Sequence, residues 1–218
     1  MIAIGDGIVL LMAIIAFFYG IRMIITKKPP LYFQLILCSV ACYILGYLFD
    51  LCEYLVTGSF TSSYLIGYLG SLGCFLFLLT AGYGYMDGIM DDRTPNMKKC
   101  RYIALVAPFL AILLLIPNLV SDIPNTTKIA YTIIWIPALL STYFNLKHAI
   151  IPDMGFGFVI AIRPFNIAAL VFTFLELIHF TLWNFCDWKI LMVSGILLGS
   201  SCITMMVMAD RGVKKWAL

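Results

Sequence analysis

The sequence predicts an all-α, polytopic membrane protein with seven transmembrane helices in one bundle. Of its 218 residues, 63% are hydrophobic and only 11% are charged, and the mean hydropathy is +1.02. Soluble globular domains carry about 25% charged residues, so this composition excludes a soluble domain. The polar stretches between apolar runs are too short to form a separate catalytic or DNA-binding domain. We therefore expect residues 1–218 to form a single transmembrane domain.

Seven apolar runs are long enough to cross a membrane. A helix needs about 17–25 apolar residues to span a hydrocarbon core roughly 30 Å thick. The runs lie at 3–26, 31–55, 64–86, 102–121, 129–147, 161–184 and 189–209. The first run has no basic start and no small-residue cleavage site of the kind found in signal peptides. We expect it to be a retained helix.

The positive charges give the expected orientation, because Lys and Arg near span ends tend to stay in the cytoplasm. If the N-terminus is outside and the C-terminus cytoplasmic, twelve of the fourteen Lys and Arg residues are cytoplasmic. Only Lys128 and Lys189 are then outside. We expect a multi-pass protein of the cell (plasma) membrane. Its net charge of +3 indicates contact with lipid head groups and not with nucleic acid.

Two pairs of ionisable residues lie near the outer ends of the second and sixth spans. Asp50 and Glu53 are three residues apart, as are Glu176 and His179, so each pair shares one helix face. Asp6 lies near the outer end of the first span. Ionisable groups at such depth are costly unless they are paired or line a wet cavity. The sequence therefore predicts an outward-facing polar pocket.

Three kinds of ligand fit this pocket, and the sequence leaves all three open. The carboxylates and the imidazole of these two pairs could hold a divalent metal, because Glu-x-x-His is a ligand spacing of di-iron bundles, although a full di-iron set is absent. The carboxylates and nearby aromatic faces could instead bind a cationic or amine-bearing molecule. The third alternative is a proton on His179. The residues considered for these roles are Asp50, Glu53, Glu176, His179, Tyr54, Tyr64, Phe180 and Trp183.

Other chemistries have less support. Nucleophilic catalysis is not favoured, because there is no Gly-x-Ser-x-Gly motif and neither histidine has a cysteine partner nearby in the sequence. Retinal is not expected, because its Schiff base needs a lysine within the last span and Lys189 lies at the outer end. The segment Asp87–Arg93 is similar to the opening of the aspartate motif of CDP-alcohol phosphotransferases but lacks the rest of it. We expect that segment to be a solvated cytoplasmic turn after the third span.

Small residues mark one face of the third span. Gly67, Gly70 and Gly73 recur every three residues, which would suit close contact between helices. We expect this face to be used for packing within the bundle.

Spans two and three carry a family resemblance. Gly46-Tyr47-Leu48-Phe49-Asp50-Leu51 is followed, after a polar loop, by Tyr64-Leu65-Ile66-Gly67-Tyr68-Leu69-Gly70 and an apolar span. This pattern resembles the N-terminal seven-transmembrane sensor module of bacterial histidine kinases and diguanylate cyclases. The resemblance implies a sensor that binds a small ligand in its outer half and signals to the cytoplasm. Because no kinase or cyclase domain follows in this sequence, signalling would need a separate cytoplasmic effector protein.

The sequence therefore supports two functions of different class. The first is a receptor-like sensor that binds a small ligand, for example a cation, or protons, and has membrane lipids and a cytoplasmic effector as partners. The second is a small membrane enzyme or transporter that uses the same carboxylates and histidine as metal ligands or proton carriers. The sequence favours the non-enzymatic function.

Overall fold

The computed structural model describes residues 2–58, 66–91, 95–152 and 157–216. All regular secondary structure in these residues is helical. In chain order the elements are α1 (Ile2–Lys27), α2 (Leu31–Thr57), α3 (Ile66–Leu79), a π-helical segment (Thr80–Asp87), α4 (Gly88–Met90), a 3-10 turn (Pro95–Met97), α5 (Lys98–Ala104), α6 (Val106–Val120), α7 (Asn125–Ile150), α8 (Phe158–Phe185) and α9 (Trp188–Trp216).

Among the described residues, seven helices are long and apolar enough to cross a membrane, which confirms the predicted all-helical class with seven candidate spans. The third consists of α3 with the start of the π-helical segment, and the fourth consists of α5 and α6, which meet at a turn at Leu105. The fifth spanning helix, α7, is longer than predicted and covers Asn125–Ile150, because helical structure continues through polar residues at its start and for three residues past its predicted end. The outside N-terminus and the single bundle stay predictions.

Helix neighbours in the structure are not simply neighbours in the sequence. α9 packs against α1 and α8, α2 packs against α1 and α3, and α7 packs against α3, α6 and α8. The largest fully buried side chains between them are aromatic, and include Trp135, Tyr32, Tyr43, Tyr131, Phe33, Phe75 and Phe172. The polar residues of the pocket described below lie where α1, α2, α3, α7 and α8 meet.

The predicted small-residue face packs α3 against α2. A Cβ atom on Gly46 would lie 2.6 Å from the carbonyl oxygen of Gly67 and 3.0 Å from Cα of Gly70. A Cβ atom on Gly70 would lie 2.7 Å from the carbonyl oxygen of Cys42, and one on Gly73 would lie 3.0 Å from the Cys42 sulfur. Since the facing atoms are mostly backbone, only glycine lets the helices approach this closely. The packing prediction is confirmed.

We expect Gly70→Ala to lower the free energy of unfolding by about 1–3 kcal/mol, because the new methyl group must push the two backbones apart. Gly7→Ala is the matched control, since a Cβ atom on Gly7 meets nothing within 4 Å. In a helix that change is expected to stabilise by roughly 0.5–1 kcal/mol. Reversible unfolding in detergent micelles measures both. Equal effects of the two substitutions would contradict the close contact.

Candidate functional site

A cavity lies between α1, α2, α3, α7 and α8, and we call it the acidic pocket. Its volume is about 70 Å³, which has room for several water molecules or a small ligand. Three carboxylic acids, one histidine and five aromatic residues line it, with a glycine and a serine. None of the described lining residues is Lys or Arg. The lining residues are Asp6, Asp50, Glu53, His179, Tyr47, Tyr68, Tyr131, Phe180, Trp183, Gly67 and Ser71.

The structure brings together most of the residues singled out in the sequence. Asp50, Glu53, His179 and Trp183 line the acidic pocket, with Asp6 and Phe180. Tyr54 is half-buried on α2 and is not among the lining residues. Tyr64, which was expected to add an aromatic face, lies outside the described residues.

The contact between α2 and α3 determines where the Asp50 side chain lies. Its carboxylate lies against Cα of Gly67, in the space that a Cβ atom there would occupy. Glu53 is one turn further along α2 and also lines the pocket. The missing side chain of Gly67 therefore leaves room for the Asp50 carboxylate, while the close helix contact depends on Gly46 and Gly70.

His179 and Asp6 are more deeply buried than Asp50 and Glu53, the other two acids of the lining. The Asp6 side chain is 5% exposed and that of His179 is 4% exposed. The Ser194 hydroxyl donates to the carbonyl oxygen of Leu191 at 2.9 Å, so Nδ1–H of His179 donates to Ser194 Oγ at 2.7 Å. In neutral His179 the Nε2 lone pair then lies 3.8 Å from Asp6 Oδ1, too far for a hydrogen bond.

This pair leaves two buried polar atoms unused. Nε2 of His179 and Oδ2 of Asp6 have no hydrogen-bond partner among the described residues. Buried polar atoms without a partner are costly, and a proton, a water molecule or a cation would satisfy them. The Trp183 ring lies edge-on to the His179 ring, with 6.3 Å between the centroids. The pair therefore has unused capacity for a positively charged or hydrogen-bonding guest.

Glu176 lies behind the pocket wall and is fully buried. Tyr43 and Tyr47 donate hydroxyl hydrogen bonds to Oε2 at 2.7 and 3.4 Å, and Ser71 donates to Oε1 at 3.0 Å. Tyr47 and Ser71 also line the acidic pocket. Glu176 is thus one layer away from a bound ligand and is connected to it by these two residues. It ties α2, α3 and α8 together.

The four residues considered as metal ligands do not form a ligand set. In the described part of the chain, no three His, Cys, Asp or Glu side chains converge in a way that could hold a metal ion. Glu176 is surrounded by hydroxyl donors, which leaves Asp50, Glu53 and His179 of the predicted four on the pocket wall. The arrangement gives the divalent-metal alternative no support.

Sequence reasoning missed the aromatic wall that α3 and α7 contribute. The rings of Tyr68 and Tyr131 pack edge to face, with 5.5 Å between their centroids, and the Phe180 ring lies 5.7 Å from that of Tyr131. The Asn184 side chain donates to the Tyr131 hydroxyl at 3.2 Å, which holds that part of the wall in place. The spacing of residues within one helix could not predict this contact between rings, because α3 and α7 are distant in the sequence. The position of Tyr47, three residues before Asp50, was a usable signal.

A second group of charges lies about 24 Å further along α7, by helical rise from Tyr131 to Lys147. We call it the ion network. Arg101 donates to both oxygens of Asp91, at 2.9 and 2.6 Å, and Lys147 donates to Asp91 at 3.1 Å. Lys147 also forms an ion pair with Asp87, and Nε2 of His148 lies 3.1 Å from the same carboxylate.

The ion network corrects the expectation for the segment after the third span. Asp91 is only 7% exposed and the Lys147 side chain 3%, so this is not a solvated turn. The π-helical segment ends at Asp87 and packs against α7, where the rings of Tyr83 and Phe144 lie 5.1 Å apart. Buried ion pairs therefore stabilise the connection between the third and fourth spans. Asp92 and Arg93 lie outside the described residues.

The charge state of Asp87 follows from its partners. Burial alone would raise the pKa of the Asp87 carboxyl, but hydrogen bonds from His148 and Lys147 and the charge of Lys147 lower this pKa below its ordinary value. Asp87 is therefore ionised at neutral pH. Because the pKa is lowered on folding, the resulting stability is complete above the ordinary pKa and is lost in acid, as the pH falls through the lowered value.

Comparison of this chain with protein-family models, curated proteins and solved structures finds no significant match. The resemblance to bacterial sensor modules therefore depends on the short motifs of spans two and three.

Proposed function

We propose that this chain is a membrane sensor that binds a small organic cation in the acidic pocket and signals to a separate partner protein. One observation carries the proposal: three carboxylic acids and five aromatic rings line a small cavity that has no Lys or Arg among its described residues. Acids crowded into a poorly solvated site repel one another, and a cation relieves that repulsion. Aromatic faces add attraction for an ammonium group.

The size and composition of the pocket narrow the ligand class. A cavity of about 70 Å³ accommodates a compact amine and excludes a peptide or a nucleotide. Asp6 and His179 offer unused hydrogen-bonding capacity at its buried end, while Asp50 and Glu53 are partly exposed on α2. A methylated or primary ammonium ion would meet carboxylates and ring faces together.

Two sets of contacts connect the acidic pocket to other parts of the protein and would transmit a movement caused by ligand binding. Tyr47 lines the pocket and donates to Glu176, which also accepts from Ser71, so movement of the pocket wall affects α2, α3 and α8 together. α7 carries Tyr131 in the pocket and Lys147 in the ion network. A shift of α7 would therefore change the contacts of Asp87 and Asp91.

The partner is expected to present acidic groups. The first turn of α5 exposes Lys98 and Lys99, and the last turns of α9 expose Arg211. In the predicted orientation these residues are cytoplasmic. They provide a basic surface for a separate effector.

The proposal predicts ligand-dependent stabilisation of the protein. We expect methylammonium and tetramethylammonium, but not the neutral tert-butanol, to raise the melting temperature by roughly 5–10 °C at about 100 times Kd. The double variant Asp50→Asn/Glu53→Gln should lose this shift, because it removes two negative charges and keeps the side-chain shapes. Asp122→Asn, which removes an exposed charge outside the pocket, should keep it.

The same experiment separates the alternatives. Equal shifts with tert-butanol, or a full shift in the double variant, would overturn cation binding at this pocket. A shift that depends on pH without any amine, and that His179→Gln removes, would favour the proton alternative. Uptake of the amine into sealed vesicles would move the function to the transporter alternative.

A further inference from the structure

A long apolar groove lies between α8 and α9, away from the acidic pocket. Its volume is about 770 Å³, within the range of roughly 300–1,000 Å³ typical of sites for organic ligands. Its walls include Ile167, Val171 and Leu175 on α8, and Leu197 and Met208 on α9. It shares no lining residue with the acidic pocket.

The hydroxyl groups in the groove do not need a hydrogen bond from a ligand. Ser200 donates to the carbonyl oxygen of Ile196 at 2.7 Å, and Thr204 donates to that of Ser200 at 2.8 Å. Ser201 likewise donates to Leu198 at 2.7 Å. Because each hydroxyl is satisfied within α9, the body of the groove behaves as an apolar surface and suits a hydrocarbon chain.

Two positive charges lie at one end of the groove. Arg163, near the start of α8, and Lys215, near the end of α9, both line it. Neither forms a salt bridge with a described residue. Arg163 donates from Nη2 to the carbonyl oxygen of Ile151 at 2.8 Å, but its buried Nε has no hydrogen-bond partner among the described residues. The guanidinium group thus retains capacity for an anion.

The length of the groove matches one leaflet of a bilayer. From Arg163 to Leu175 the axis of α8 rises about 18 Å, and half of a hydrocarbon core is about 15 Å. An occupant would therefore have a negatively charged head at Arg163 and Lys215 and an acyl chain along α8 and α9. Arginine suits phosphate because its planar donors can contact two oxygens at once.

We infer that the α8–α9 groove is a binding site for an anionic phospholipid. The phosphate contacts Arg163 and Lys215, and one acyl chain fills the apolar part. In the predicted orientation the charged end faces the cytoplasm, where anionic lipid attracts basic residues. This site is independent of the function proposed for the acidic pocket.

The test compares lipids in nanodiscs made from phosphatidylcholine with and without phosphatidylglycerol. We expect phosphatidylglycerol to raise the melting temperature and to be retained by the protein in native mass spectrometry. Arg163→Gln/Lys215→Gln should weaken that retention about tenfold or more, which corresponds to about 1.4 kcal/mol. Thr204→Trp, which fills the apolar part and keeps both charges, should weaken it as well.

Two controls decide the outcome. Lys98→Gln/Lys99→Gln removes the same charge from exposed residues outside the groove and should keep the preference for phosphatidylglycerol. Equal loss in this control would show general attraction to anionic membranes and would overturn the site. Equal stabilisation by phosphatidylcholine, or the full effect from inorganic phosphate alone, would overturn it too. Cation binding at the acidic pocket should be unchanged in every groove variant.

Discussion

Asp91→Ala should destabilise this protein by about 1.5–3 kcal/mol, because it removes a buried carboxylate that accepts charge-assisted hydrogen bonds. Asp91 accepts hydrogen bonds from both Arg101 and Lys147, and the Lys147 side chain is only 3% exposed. Asp87 remains beside Lys147 after the substitution, but Arg101 has no second carboxylate among its hydrogen-bond partners in the described residues. Reversible unfolding in detergent micelles measures the loss.

The control for Asp91 is an acid of the same type without buried partners. Asp122 is exposed between α6 and α7, and Asp122→Ala should change the free energy of unfolding by no more than about 0.5 kcal/mol. A double-mutant cycle with Asp91→Asn and Lys147→Met would then isolate the ion pair. We expect a coupling free energy of roughly 0.5–3 kcal/mol. Additive effects would show that Asp91 stabilises the segment without the charge of Lys147.

The helical class could be predicted from the sequence because a membrane span is defined by the length of one apolar run, which is local information. Predicting that each polar pair shares one helix face likewise needed only local information. An i, i+3 spacing placed Asp50 and Glu53 on one side of α2, and both line the acidic pocket. His179 reaches the same cavity from α8.

What the sequence could not provide was the set of contacts between distant helices. The partners of Glu176 are Tyr43, Tyr47 and Ser71, which are more than a hundred residues away in the chain. Hydropathy treats tyrosine as part of the apolar background, so these hydroxyl donors were not recognised as partners of a buried carboxylate. Asp91 and Lys147 are 56 residues apart in the chain, so the sequence does not show that they form an ion pair. Without that contact, a segment with many charged residues is expected to be exposed to solvent.

The consequence for function is a division of roles between Glu176 and His179. The sequence grouped them as one ligand-binding pair, but only His179 lines the acidic pocket. Glu176 contacts the pocket through Tyr47 and Ser71 and connects three helices. Substitutions at the two positions should therefore produce different kinds of defect.

Glu176→Leu should lower the free energy of unfolding by about 3–5 kcal/mol, because it leaves three buried hydroxyl donors without their acceptor. Thr173→Val is the matched control: Thr173 is also fully buried on α8, one turn earlier, but its hydroxyl donates only to the carbonyl oxygen of Ala169 in its own helix. We expect that control to cost about 1 kcal/mol or less. Comparable losses in the two variants would contradict the connecting role of Glu176.

Two further variants separate stability from binding. In the Glu176→Leu background, Tyr43→Phe should recover part of the lost stability, since removing both partners of a buried hydrogen bond is close to neutral. Glu176→Gln keeps the shape and one carbonyl acceptor, so we expect it to cost only about 1–2 kcal/mol. It should also bind tetramethylammonium within about threefold of the unmodified protein, a difference below 1 kcal/mol. Loss of cation binding in Glu176→Gln, equal to that in Asp50→Asn/Glu53→Gln, would instead place the Glu176 charge among the direct determinants of the ligand.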